Sequence, residues 1–184
     1  RRGYESRRET THQASSGGET YDEGISVLSA HHVVNSHTLA LPYQNCPRKA
    51  LAVDVLVRGQ ALRVYCTHFD YGTESEGERT QSAQAIVADL PSTTPAVVAG
   101  DLNAKPGEPA VAVLTAGLSD LWATANPSNP GLTFPATSPT ARIDYQFGST
   151  QLASALLGAK LLDEQQGSVW LSDHLGLATA VSFP

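Results

Sequence analysis

The sequence predicts an α/β fold in which two β-sheets pack together with helices on their outer faces. Three observations predict it. β-rich runs lead at both ends of the chain, and two helical patterns sit between them. Strands and helices do not alternate strictly, as a parallel α/β array would require.

Residues 1–23 are dominated by Gly, Ser, Thr and charge and read as a polar flexible segment, a mobile loop or frayed end. Its arginine pairs, Arg1–Arg2 and Arg7–Arg8, read as a solvated basic tail that could also meet a phosphate. Residues 24–184 are expected to form a single domain. Structure is expected to begin with the strand-like run GISVLSA from Gly24. KALAVDVLV (Lys49 to Val57) and ALRVYCTHF (Ala61 to Phe69), joined by Arg-Gly-Gln, read as a hairpin. In its second strand Leu62, Val64 and Cys66 alternate with Arg63, Tyr65 and Thr67. This places His68 on the side of the apolar set, expected to be the buried one, at the strand's end.

ESEGERTQSAQAIVADL is a helix by the three- and four-residue steps of Ala83, Ile86, Val87 and Leu90, and Pro91 stops it. PAVVAG is a short apolar strand. GEPAVAVLTAG is a second helix, ended by Gly117. A Pro/Ser/Asn/Thr-rich loop spans 126–140, and a loop this long inside a compact domain is often functional. RIDYQFG is a strand, QLASALLGAKLL is ambiguous between helix and strand, and GLATAVSF closes the chain as a strand.

With 184 residues, 41% hydrophobic and 16% charged, the chain can bury a sizeable core. No apolar run approaches a membrane span, so no transmembrane segment is expected. The chain is expected to be a soluble monomer, cytoplasmic or secreted. A net charge of −6, from 18 acids against 12 bases, disfavours a protein that lives by gripping phosphate backbones non-specifically. It leaves room for an enzyme that touches a few phosphates. Cys46 and Cys66 lack zinc-type spacing and read as buried thiols, with a disulfide left open. There is no methionine and no apolar leader in the sequence given, which suggests a fragment or a processed chain.

Polar residues collect where strands stop. His68 ends one strand, Asp101 and Asn103 follow another, Asp144 lies in RIDY, and Asp173–His174 precede the last strand. On an extended chain the i, i+2 spacing of Asp101 and Asn103 sends both side chains to one side and Leu102 to the other. Each feature alone has a structural explanation: a turn for Asp-x-Asn, a rim histidine for His68, an ion pair with Arg142 for Asp144, a cap for Asp173–His174. Together they supply an acid, a base, hydrogen-bond donors and hard-cation ligands. That is the inventory for metal-assisted attack of water on phosphorus, with oxygen ligands suited to Mg²⁺ or Mn²⁺.

THFD, AGDLN, RIDYQF and SDHLGL, in this order, resemble the endonuclease/exonuclease/phosphatase superfamily of deoxyribonuclease I-like enzymes. The resemblance covers Gly24 to the C-terminus. It implies a four-layer α/β sandwich, two mixed and mostly antiparallel sheets face to face with helices outside. It also implies roles. Asp101 would orient and activate the attacking water and bind the metal, and Asn103 would hold a phosphate oxygen. His174, held by Asp144, would contact the phosphate. His68 would assist at the phosphate or leaving group, and Asp173 would help at the metal site. The family's principal metal-binding glutamate, in a Gln-Glu context after a strand, has no counterpart: Glu5, Glu9, Glu19 and Glu23 all lack that context. The chain is therefore expected to start after that segment, as a fragment or as a variant that has lost it.

The function expected is a divalent-metal-dependent phosphoesterase that hydrolyses a phosphodiester of nucleic acid, lipid or sugar phosphate. The alternative is a catalytically inactive phosphate- or protein-binding module of the same fold. A serine hydrolase built on Ser172 or Ser29 ranks below both, since no Gly-x-Ser-x-Gly elbow is present. Arg48, Lys49 and Lys105 could form a basic patch for a polyanion, or be scattered solvated charge.

Overall fold

The computed structural model describes residues 3–167 and 169–183, so the Arg1–Arg2 pair lies outside it. In chain order the elements are β1 (Glu5–Ser16), β2 (Glu19–Ser29), β3 (His32–Leu41), β4 (Arg48–Val57), β5 (Gln60–His68), α1 (Glu76–Asp89), β6 (Ala96–Asp101), α2 (Pro109–Thr115), β7 (Ser119–Asp120), α3 (Leu121–Ala125), β8 (Asp144–Gly148), α4 (Thr150–Ser154), β9 (Leu156–Leu162), β10 (Gln165–Gln166), β11 (Val169–Trp170) and β12 (Gly176–Val181).

Six strands form one mixed sheet in the order β3-β4-β5-β6-β8-β7. All neighbours are antiparallel except β5 and β6, which run parallel because α1 carries the chain across between them. The other strands are two-stranded ribbons: β1-β2, β9-β12 and the short β10-β11. On one face of the six-stranded sheet Ala50, Ala52, Tyr65, Val98, Tyr145 and Phe147 pack with Ala83 and Ile86 of α1 and with Ala110, Val111 and Leu114 of α2. On the other face Leu51, Val53 and Val55 pack with Ile25 and Val33 beneath the β1-β2 ribbon. The β9-β12 ribbon meets β8 through polar groups: Gln146 donates to the Leu177 carbonyl (3.0 Å) and accepts from the Thr179 hydroxyl (2.7 Å). The result is the expected α/β sandwich, with helices outside a mixed sheet.

The polar segment expected over 1–23 is corrected. Residues 5–16 form β1, paired antiparallel with β2 along its length except for a register shift at Thr11. Gly17 (φ 60°) and Gly18 (φ 84°) make the two-residue turn, both in the left-handed region such a turn demands. The strands are polar because the ribbon is half-exposed along much of its length, and the backbone ladder rather than an apolar stripe builds it. Lys49 of β4 ties it down through Glu9 at 3.1 Å. β3, an edge strand with polar residues at half of its ten positions, and the short α3 were not expected from the sequence. The ambiguous 151–162 region divides into α4 and β9.

The Arg-Gly-Gln hairpin forms as expected, with Arg58 (φ 52°) and Gly59 (φ 85°) at its turn. The facing of β5 is reversed. Tyr65 and Thr67 are the fully buried set, against the helices, whereas Leu62, Val64 and Cys66 are half-buried. His68 therefore continues the half-exposed side. Cys46 and Cys66 are unpaired and half-buried, not fully buried, and burial raises both thiols above their ordinary value, which disfavours the thiolate.

α1 begins without a side-chain cap because the Ser75 hydroxyl is committed elsewhere, donating to Asp70 at 3.0 Å. Asp70 is fully buried and also accepts from the Gln44 (2.7 Å) and Asn45 (2.9 Å) backbone N–H groups. Burial works against its charge, but these bonds outweigh burial and hold the carboxyl down to about 2. Arg48, also buried, faces it at 3.7 Å and lies 4.0 Å from Glu23. Arg48 and Lys49 are thus matched internally and do not form a free basic patch.

Two predictions follow from this packing. A Cβ on Gly100 would sit 1.9 Å from the Thr67 carbonyl oxygen, inside the β5-β6 ladder. Gly100→Ala is expected to cost about 3 kcal/mol, near the top of the usual overpacking range, and to lower the thermal midpoint by roughly 6–12 °C. An unchanged midpoint in calorimetry would contradict this. For Asp70, the folded carboxyl titrates below its unfolded value, so its stabilisation is full above about pH 4 and is lost as pH falls through about 2. Asp70→Asn should cost about 2.5 kcal/mol at pH 7 and about half of that at pH 3, read from urea unfolding. An equal cost at both values would show that the charge is not what Asp70 contributes.

Candidate functional site

The site is set by strand register. His68 pairs with Asp101 in the parallel β5-β6 ladder, and Asp101 pairs with Asp144 in the antiparallel β6-β8 ladder. Neighbouring strands lie about 4.8 Å apart, so three polar residues stand in a row across one edge of the sheet. His68 Nε2 lies 3.5 Å from Asp101 Oδ2.

His174 comes from the loop before β12 and closes over this row. Its Nδ1 is 2.8 Å from Asp144 Oδ2. A carboxylate can only accept, so Nδ1 carries the proton and Nε2 is left facing away from Asp144. One ligand atom from each of Asp101, Asp144 and His174 lies within 4.8 Å of the others, a spacing that could hold a metal ion. Asp144 is thus held by His174, while Arg142 binds Asp120, which also caps α3 by accepting from the Ala123 N–H.

The expected side-by-side projection of Asp101 and Asn103 is corrected. The strand stops at Asp101, and Asn103 adopts a left-handed conformation, φ 47°. Its backbone N–H donates to Asp101 Oδ1 (2.7 Å), an Asx-type turn, and its Nδ2 donates to the Phe69 carbonyl (3.0 Å). Leu102 between them is buried, as expected. Asn103 therefore ties the exit of β6 to the exit of β5, with one Nδ2 hydrogen still free of that bond. Asp173 lies outside the ligand-spaced group. It is exposed, and its carboxylate faces the Ser172 hydroxyl at 3.5 Å. The Ser172 hydroxyl accepts from the backbone N–H of His174 (3.1 Å); among the described residues it makes no bond to the ring, and Ser29 Oγ bonds only the backbone of His31.

The titrating groups are pushed in different directions. Burial pushes the Asp101 carboxyl up to about 6; the Asn103 N–H opposes this and the charge of Asp144 adds to it. Burial also pushes His68 down to about 4, helped by the positive charges of Arg48 and His174. For His174 burial favours the neutral ring, but the hydrogen bond and charge of Asp144, with Asp101 and Asp173 behind, outweigh it and raise the imidazole. The arrangement provides a neutral imidazole, a carboxyl poised near neutrality and an imidazole inclined to carry charge.

The long 126–140 loop supplies residues that motif reasoning did not name. Buried Thr133 accepts on Oγ1 from the Ile143 (3.3 Å) and Asp144 (3.4 Å) N–H groups. The Phe134 ring packs on that of His174, centroids 4.7 Å apart at 43°. The only sequence signal for them was the length of the loop.

Among solved structures, an endonuclease/exonuclease/phosphatase family protein from Leptotrichia buccalis matches with TM-score 0.77 and 19% identity, over 99% of this chain and 72% of that one. TDP2 from D. rerio, solved with a single-strand DNA product, matches with TM-score 0.71 and 21% identity, over 96% and 76%. The human nocturnin catalytic domain, solved with a bound sulfate anion, matches with TM-score 0.72 and 18% identity, over 97% and 73%. At these identities the likeness is one of fold, and the chain spans about three quarters of each structure's length. A comparison with curated proteins finds no match. The sequence of residues 2–174 matches the endonuclease/exonuclease/phosphatase family, and a match over nearly the whole chain, on the fold just described, makes the chain a member of that family.

Proposed function

We infer that the chain carries the catalytic residues of a divalent-cation-dependent phosphodiesterase whose substrate is a phosphodiester of nucleic acid, lipid or sugar phosphate. One observation carries this reading: Asp101, Asp144 and His174 converge within 4.8 Å at the strand ends, with His68 beside Asp101. The single-strand DNA product held by D. rerio TDP2 and the sulfate held by nocturnin support a phosphate-bearing substrate.

The donor set fits a hard cation. Asp101 and Asp144 stand as adjacent carboxylates, and their mutual repulsion contributes to the raised pKa of Asp101, a strain that a cation relieves. Their oxygens would hold Mg²⁺ or Mn²⁺. Such an ion, when bound, neutralises phosphate charge and makes water more acidic.

The protein's own residues do the rest. Asp101, beside His68 and Asp144, would accept a proton from the attacking water. His174 directs Nε2 to a phosphate oxygen, while Asp144 fixes its tautomer and favours its charged form. His68, neutral at pH 7, supplies a hydrogen bond beside Asp101 without adding charge. The free Nδ2 hydrogen of Asn103 is available to a phosphate oxygen. Asp173 adds negative charge near His174 and is a weaker candidate for the metal than Asp144.

One observation favours the inactive-module reading. Among the described residues no glutamate joins the ligand-spaced group: Glu5 pairs with His32, Glu9 with Lys49, and Glu23 lies against His12 and Arg48. Hydrolysis of bis(4-nitrophenyl) phosphate with Mg²⁺ or Mn²⁺, then with EDTA, separates the two. Metal-dependent turnover is expected, with kcat falling at least ~100-fold in Asp101→Ala and His174→Ala at unchanged circular dichroism. A folded, metal-loaded chain without turnover would support the binding module instead.

A further inference from the structure

The His174 loop is held by one short segment of the 126–140 loop, and by more than one kind of contact. The backbone N–H of Ala136 donates to the Asp173 carbonyl (2.6 Å), and the N–H of Leu175 donates to the Thr133 carbonyl (2.8 Å). These bonds grip the chain immediately before and after His174. Between them the Phe134 ring lies against the imidazole. The same segment reaches His174's partner, because Thr133 Oγ1 accepts from the N–H of Asp144.

Phe134 is itself fixed. Its N–H donates to the Ala141 carbonyl (3.0 Å), and its carbonyl accepts from the N–H groups of Thr140 (2.8 Å) and Ala141 (2.9 Å). Its ring therefore presents a set surface to the imidazole. The surface matters because an imidazole has two rotatable bonds. The single bond from Nδ1 to Asp144 fixes one point of the ring and leaves it free to swing about that point. The Phe134 ring, tilted at 43° against the imidazole, restricts this swing and with it the direction of Nε2.

We propose that Thr133–Ala136 is a positioning strap for the His174–Asp144 pair, and that Phe134 is the positioning residue that sets the direction of Nε2. This rests on the phosphodiesterase reading for its effect on rate, though not for its effect on the ring. Misplacing a reacting group by about 1 Å can cost on the order of 100-fold without weakening substrate binding.

The test compares Phe134→Leu, which keeps apolar bulk and loses the aromatic face, with Phe134→Tyr, which restores that face. With bis(4-nitrophenyl) phosphate and Mn²⁺, Phe134→Leu is expected to lose ~10- to 100-fold in kcat with KM changed less than about twofold, and Phe134→Tyr to recover most of the loss. In parallel, the ring protons of His174 are followed by NMR in the full chain without metal. They should show an aromatic ring-current shift in the wild type and Phe134→Tyr that disappears in Phe134→Leu. Thr133→Val, which removes the acceptor for Asp144, tests the strap separately and should also lower kcat; it carries the test if Phe134→Leu fails to fold. Unchanged kcat in a folded Phe134→Leu chain, or the same ring shift in both variants, would overturn the proposal. If the wild type lacks turnover but shows the ring shift and loses it in Phe134→Leu, the phosphodiesterase reading fails and the positioning of His174 stands.

Discussion

The hydrogen-bond ladder that runs through β5, β6 and β8 fixes where chemistry can occur. It makes His68, Asp101 and Asp144 neighbours, although they lie far apart in the chain. A slip of one residue in either ladder would turn a side chain to the opposite face and dissolve the row. Register is held by the packing of Tyr65, Val98, Tyr145 and Phe147 against the helices, and by the close approach of Gly100 to Thr67. The geometry of the candidate site is thus a by-product of core packing. This explains why the site sits on strand ends, which are rigid, while its closing element, His174, comes from a loop.

The loop must be made rigid by other means. Backbone bonds to Thr133 and Ala136, the Phe134 ring and the Asp144 carboxylate surround His174 on separate sides. Electrostatics then divides the labour between the two histidines. Burial, with the charges of Arg48 and His174 behind it, keeps His68 neutral, whereas the Asp144 carboxylate inclines His174 to charge against its burial. Burial raises Asp101 toward neutrality instead of leaving it a spectator carboxylate. On the function proposed, the two carboxylates that repel each other would together receive a cation and the phosphate that accompanies it.

Much of this was legible in the sequence, and the rest was not, for physical reasons. Strands with His68 or Asp101 at the end, or Asp144 at the start, were readable because β6 is a continuous apolar run with a sharp polar end and β5 alternates. Most of the β1-β2 ribbon was hidden because its half-exposed strands carry little apolar pattern; the GISVLS end of β2 and the Gly17–Gly18 turn signal were its traces. The facing of β5 was misread because both of its faces are covered, so alternation does not say which side is deeper. The turn at Asn103 follows from a left-handed residue, which spacing alone does not reveal. Phe134 and Thr133 acquire meaning only when the loop folds back onto the strand ends, a tertiary fact.

The central claim is that these strand ends and His174 form one receptor for a divalent cation and its phosphate. Paramagnetic broadening of the backbone amide spectrum by Mn²⁺ tests it directly. The account predicts selective loss of the Asp101, Leu102, Asn103, Asp144 and His174 amides at low Mn²⁺, restored by EDTA, while α1 is untouched. Broadening centred on the acidic β1-β2 turn, around Glu19 and Asp22, with the strand-end amides unaffected, would contradict it.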